Sequence, residues 1–205
     1  MKLILSGLLA LILIFSACEK IDDQVVSPND LQKYNSNSAG ITPSTINFSL
    51  IPLPQKSPIY LDSVFTVSKL INGLLGGAIV LDRTYISDKG QLVTMLVNLV
   101  IPPLSFLGQD TITVTIDNDF AAVHCEPGMT FLHPLLMLQT FTGLNLSKYN
   151  TEDIDFVYIN DEGGIEDVEN SLIIVNKPLG LVTVIGAQLH HFSRYGWVRK
   201  HDNSN

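Results

Sequence analysis

Residues 78–103 read AIVLDRTYIS-DKG-QLVTMLVNLVI-PP, and the fold is decided here. Two apolar runs with a two-residue period, Ala78–Ser87 and Gln91–Ile101, flank Asp88-Lys89-Gly90, a turn of the kind that joins hairpin strands. Pro102-Pro103 then ends the second run, because proline cannot donate to a strand ladder. The same texture extends in both directions. It predicts strands at Ser63–Leu70, Thr111–Asp117, Ala121–Cys125, Leu135–Thr140, Ile154–Asn160, Ser171–Asn176, Leu181–Leu189 and near Phe192–Val198. Asp161-Glu162-Gly163-Gly164 reads as a second hairpin, and Leu104–Leu107 and Ser147–Asn150 as single turns. No helical stretch of convincing length competes and no fixed-period repeat appears. Short strands at this spacing indicate an all-β fold, a sandwich or a barrel.

Composition agrees. The 205 residues leave room for one ordinary domain with its own core once an N-terminal targeting segment is set aside. Hydrophobic residues make up 46% and charged ones only 16%, which suits a β-sandwich with apolar inner faces and Thr, Ser and Asn outside. A net charge of −8 and a pI near 4.9 leave no basic surface for phosphates, so nucleic acid is not an expected partner.

The first residues form an address. Lys2 precedes an apolar run from Leu3 to Phe15, and Ser16-Ala17-Cys18 follows. A positive start, a short apolar centre and small residues before a cut are the parts of a secretion signal (1–17). A 13-residue run is too short to cross a bilayer as a helix. Phe15-Ser16-Ala17-Cys18 resembles the bacterial lipobox, with Phe15 where the pattern prefers Leu. The resemblance implies cleavage before Cys18 and acylation of that residue, giving a lipoprotein of the cell envelope attached to the membrane. Each buried methylene contributes about 0.8 kcal/mol, so several chains make attachment effectively permanent. Glu19 follows, not the Asp associated with inner-membrane retention. Glu19, Asp22 and Asp23 resemble acidic surface-export signals, so an outer-membrane position, periplasmic or surface-facing, is expected. Residues 18–45 are polar and rich in Asn, Ser and Gly, and read as a flexible tether.

Three blocks in the body form an ordered set. Ile101-Pro102-Pro103-Leu104, with the Thr-rich strand Asp110–Ile116 soon after, comes first. Glu126-Pro127-Gly128-Met129-Thr130-Phe131-Leu132-His133-Pro134 is second and His191-Phe192-Ser193-Arg194-Tyr195 third. Over roughly residues 74–198 their order and spacing resemble the ZU-five domain family, found in ankyrins and netrin receptors. Leu104-Ser105 replaces the family's usual Gly-Ala. The resemblance implies a single antiparallel β-sandwich over 46–200 that mediates protein contacts without enzyme activity. The partner is then an unidentified protein or envelope polymer.

One segment carries possible chemistry. Some animal members with a companion subdomain cut themselves between Phe and Ser of the tripeptide matched here by His191, Phe192 and Ser193. Attack by the serine hydroxyl on the preceding carbonyl gives an ester that water hydrolyses, and needs a nearby base. On a regular strand His191 and Ser193 share a face, their Cα atoms about 6.5 Å apart. Only 12 residues follow Ser193, against a whole subdomain in the cleaving members, so self-cleavage is not expected. The remaining features read as structural. Alternation buries Cys125 with Ala121 and Val123, and if Cys18 is acylated Cys125 has no disulfide partner. His124, His133, His190, His191 and His201 lack zinc-ligand spacing, and the acidic run 161–169 lacks a calcium-loop pattern. No metal or cofactor is expected. Tyr195 and Trp197, on the face of His191, are expected in the core, with a sugar- or peptide-binding strip as the alternative.

Overall fold

The quoted stretch folds as read. β3 (Gly77–Ile86) and β4 (Leu92–Ile101) pair antiparallel from Gly77↔Ile101 to Ile86↔Leu92. At the turn, Ser87 N–H donates to the Gln91 carbonyl and Gly90 N–H to the Ser87 carbonyl. Gly90 takes a left-handed φ of +77°, which a side chain would disfavour. The computed structural model of the chain describes residues 47–60, 64–160 and 163–201. The signal, Cys18 and the tether lie outside the described residues, as do Ser63, Asp161 and Glu162.

The other strands are β1 (Asn47–Leu50), β2 (Thr66–Asn72), β5 (Gln109–Ile116), β6 (Ala122–Glu126) and β7 (Thr130–Thr142). After them come β8 (Ile154–Ile159), β9 (Ile165–Asp167), β10 (Leu172–Asn176), β11 (Leu181–His191) and β12 (Arg194–His201). They make two antiparallel sheets. One runs β2-β5-β6-β12-β8-β9, with β1 following β6 along the same edge of β12. The other runs β10-β11-β7-β4-β3. The two pack face to face as a β-sandwich.

Four strand predictions are corrected. β1 and β9 were not expected: β1 has four residues and β9 three, and each is held by one neighbour, β12 and β8 respectively. β9 lies inside the acidic run. Lys200 Nζ pairs with Asp167 of the run at 2.7 Å and with Asp155 of β8 at 2.6 Å. Burial opposes the Lys200 charge, but the two carboxylates outweigh it and hold the ammonium above its ordinary pKa. β7 begins at Thr130 rather than Leu135. Pro134 fits because pairing with β11 jumps there, from Leu135↔Leu189 to Thr130↔His191. The last strand starts at Arg194 rather than Phe192, because the chain is changing sheets there.

The core lies between the sheets. β4 turns Val93, Met95, Val97, Leu99 and Ile101 inward, all at 0–1% exposure. The opposite layer supplies Ile112, Val114, Ile116, Val123, Cys125, Phe156 and Trp197. Each large side chain buried this way contributes roughly 1.5–3 kcal/mol, so a core of this extent needs no staple. Gln55–Ser57 bonds to Ile86–Asp88 and covers one end of the β3 edge. Among the described residues no helix is long and apolar enough to cross a membrane.

Candidate functional site

The His191-Phe192-Ser193 tripeptide sits where the chain leaves β11 in the five-stranded sheet and enters β12 in the other. Phe192 anchors the crossing. It is buried, stands edge-on to Phe131 at 4.7 Å, and its N–H donates to the Met129 carbonyl. The Ser193 carbonyl accepts from Cys125 N–H at 2.9 Å. Tyr195 reaches back with its hydroxyl, which donates to the His191 carbonyl at 2.6 Å. Each backbone group named here is thus hydrogen-bonded.

The side chains do not assemble as a nucleophile and base. His191 packs edge-on against Tyr158, ring centroids 4.5 Å apart, with Tyr195 at 6.3 Å. Among the described residues no hydrogen bond joins His191 to Ser193. His191 instead lines a cleft of about 190 Å³ with Tyr158, Glu166, Glu169, His190 and Tyr195. Burial, and then the proximity of Cys125, push the Tyr195 hydroxyl far above its ordinary pKa, so it is a neutral donor.

The other candidates fall in three groups. Cys125 is fully buried, and burial pushes its thiol up to about 12, which keeps it protonated and inert. Ala121 and Val123 are buried beside it as the alternation predicts, and Tyr195 and Trp197 are core residues at 2% and 0% exposure. Of the histidines, His190 and His191 line the cleft already described, His124 lies 3.9 Å from Glu126 at the surface, and His133 is exposed. Among the described residues no three His, Cys, Asp or Glu side chains converge on a metal-sized site. Cys18, the lipidation candidate, lies outside the described residues.

One surface was missed at the level of sequence. The outer face of the five-stranded sheet carries Val80, Val100, Leu136, Leu172 and Ile174, each at least 40% exposed. The outer face of the other sheet is mixed. Hydroxyl pairs Thr66–Thr115 and Ser68–Thr113 cross it over β2 and β5, beside the ion pairs Arg194–Asp117 and Lys200–Asp155. Val157, Ile159 and Val198 form a covered apolar cluster with Phe48, Leu50 and Ile165 over β8, β12 and β1. The signal was present in the sequence: Leu92–Ile101 is apolar at nearly every position, so both faces of that strand are apolar.

Fold and surfaces together define an antiparallel β-sandwich with two unlike outer faces. In comparisons with known proteins, no family model, no curated protein and no solved structure matches this chain.

Proposed function

We propose that the chain is a bacterial cell-envelope lipoprotein, held to the membrane by acyl chains on Cys18, whose ZU-five-like β-sandwich is a non-enzymatic protein-interaction module. The observation that carries the anchor is the order of Lys2, a 13-residue apolar run and Ser16-Ala17-Cys18. The interaction role draws support from the exposed apolar residues on the outer face of the five-stranded sheet. A sheet region meant only for water is expected to look like the Thr-rich part over β2 and β5, and contiguous exposed apolar surface marks contact sites. The outer membrane, facing the periplasm or the cell surface, is the proposed location.

Metabolic labelling with an alkyne fatty acid tests the anchor. The wild type is expected to carry the label and fractionate with membranes, and Cys18→Ala to lose the label entirely. An unlabelled wild type refutes acylation. The intact mass of the same purified protein addresses self-processing: the reading expects Ser193–Asn205 to be retained, and a chain ending at Phe192 would replace it with autoproteolysis.

A further inference from the structure

The apolar outer face spans all five strands of its sheet. Cross-strand rows run Ala78–Val100–Leu136–Gln188, Val80–Asn98–Leu138, and Asp82–Leu96–Thr140–Thr183–Ile174. Asp82, on the edge strand β3, is the one ionisable residue in these rows. The middle of the face is aliphatic apart from Asn98 and a Thr140–Thr183 hydroxyl pair that satisfies itself.

We infer that this face is a homodimer interface, closed by the same face of a second copy about a two-fold axis. The inference rests on the interaction-module reading and names its partner. Three observations favour a second copy. First, the extent suffices. With the adjoining row Thr84–Thr94–Thr142 included, five strands at about 4.8 Å spacing and about seven residues at 3.4 Å rise give a footprint of roughly 600 Å² per copy. A pair then buries roughly 1,200 Å², the lower bound of specific interfaces. Second, the charge is compatible. A net −8 would set two copies against each other, yet the face itself is almost uncharged. A two-fold axis near Leu138, on the central strand β7, leaves the two copies of Asp82 at opposite rims, wet and screened over about 8 Å. Third, a lipid surface is poorly matched. These rows hold no Lys, Arg, Trp or Tyr, the residues that draw a protein face onto anionic headgroups. A self-complementary apolar sheet face is what an isologous contact requires.

Cysteine crosslinking of the full chain in intact cells tests this. Leu138→Cys, treated with a copper–phenanthroline oxidant, is expected to give a reducible band at twice the monomer mass. Thr113→Cys, on the Thr-rich part of the other sheet's outer face, is expected to give none. Adding Leu96→Lys and Val100→Lys to Leu138→Cys is expected to reduce the band at least tenfold. Because that combination risks misfolding, the unaltered chain is measured too: in mild detergent, sedimentation velocity is expected to show a dimer that dissociates on dilution. The inference is overturned if Val80→Cys, Leu138→Cys and Ile174→Cys all stay monomeric. Crosslinks to a protein of different mass, or an equal band from Thr113→Cys, overturn it as well. The fatty-acid label is scored separately, so an unlabelled chain that still dimerises refutes only the anchor.

Discussion

Gln139 is the most exceptional side chain of the core. It lies on the inward side of β7 at 0% exposure, opposite Val97 and Val184, and among the described residues neither amide atom has a partner. A desolvated polar group left unpaired costs roughly 1–3 kcal/mol. Gln139→Met keeps the length of the side chain and removes both polar atoms. It is expected to raise stability by about 1 kcal/mol. In urea the unfolding midpoint should rise with an unchanged slope. A lower midpoint would mean that the amide has an interaction in solution that methionine cannot replace. Nothing in Leu135–Thr140 marks this position, since a lone Gln among apolar neighbours reads equally as an outward polar residue. Cys125, by contrast, was legible, because its inward phase is shared with Ala121 and Val123.

At the scale of elements, hairpins were legible and irregular strands were not. The β3–β4 hairpin is a local object: its alternation, turn residues and terminal prolines all lie within one stretch, and the structure keeps them. β7 and β11 depend on each other. Their register shifts between Val184 and Ala187 and again between Leu189 and His191, and only a partner strand reveals such a shift. Gly186 marks the first. It sits within the predicted strand, where an interior glycine signals a bulge, and it adopts a left-handed φ of +66°. A Cβ there would also lie 2.6 Å from Ser171 Oγ. Gly186→Val is expected to cost about 2 kcal/mol or more, from the left-handed backbone and the crowding together. Thermal unfolding checks this, and a Tm within a degree of wild type would show that the bulge relaxes. The tripeptide His191-Phe192-Ser193 shows the same limit. Read alone it continues a strand, whereas in the fold it carries the chain from one sheet to the other.

The molecule as a whole joins its sheets through one continuous core, and groups that core keeps neutral link its stability to pH. How the strands divide between the sheets was not legible, because β6 and β12, or β4 and β7, meet only across long stretches of chain. The core that results holds ionisable groups from both layers. Tyr85 of the five-stranded sheet is buried, its hydroxyl donates to the Pro54 carbonyl, and burial pushes it up to about 12. Cys125 of the other sheet is pushed up to about 12 for the same reason, and Tyr195 higher still. Their ordinary values are 9.0 for the thiol and 10.0 for the phenols, so above those values the unfolded chain loses protons that the folded chain retains. Fewer protons bound in the unfolded state means that stability falls as pH rises. These groups leave stability unaffected below about pH 9 and reduce it progressively from there toward pH 12. Tm followed from pH 8 to 11.5 should drop steadily above pH 9, and less steeply in a Cys125→Ala, Tyr85→Phe double variant. If the double variant keeps the wild-type slope, the alkaline loss comes from other groups, and the burial of these two does not govern it.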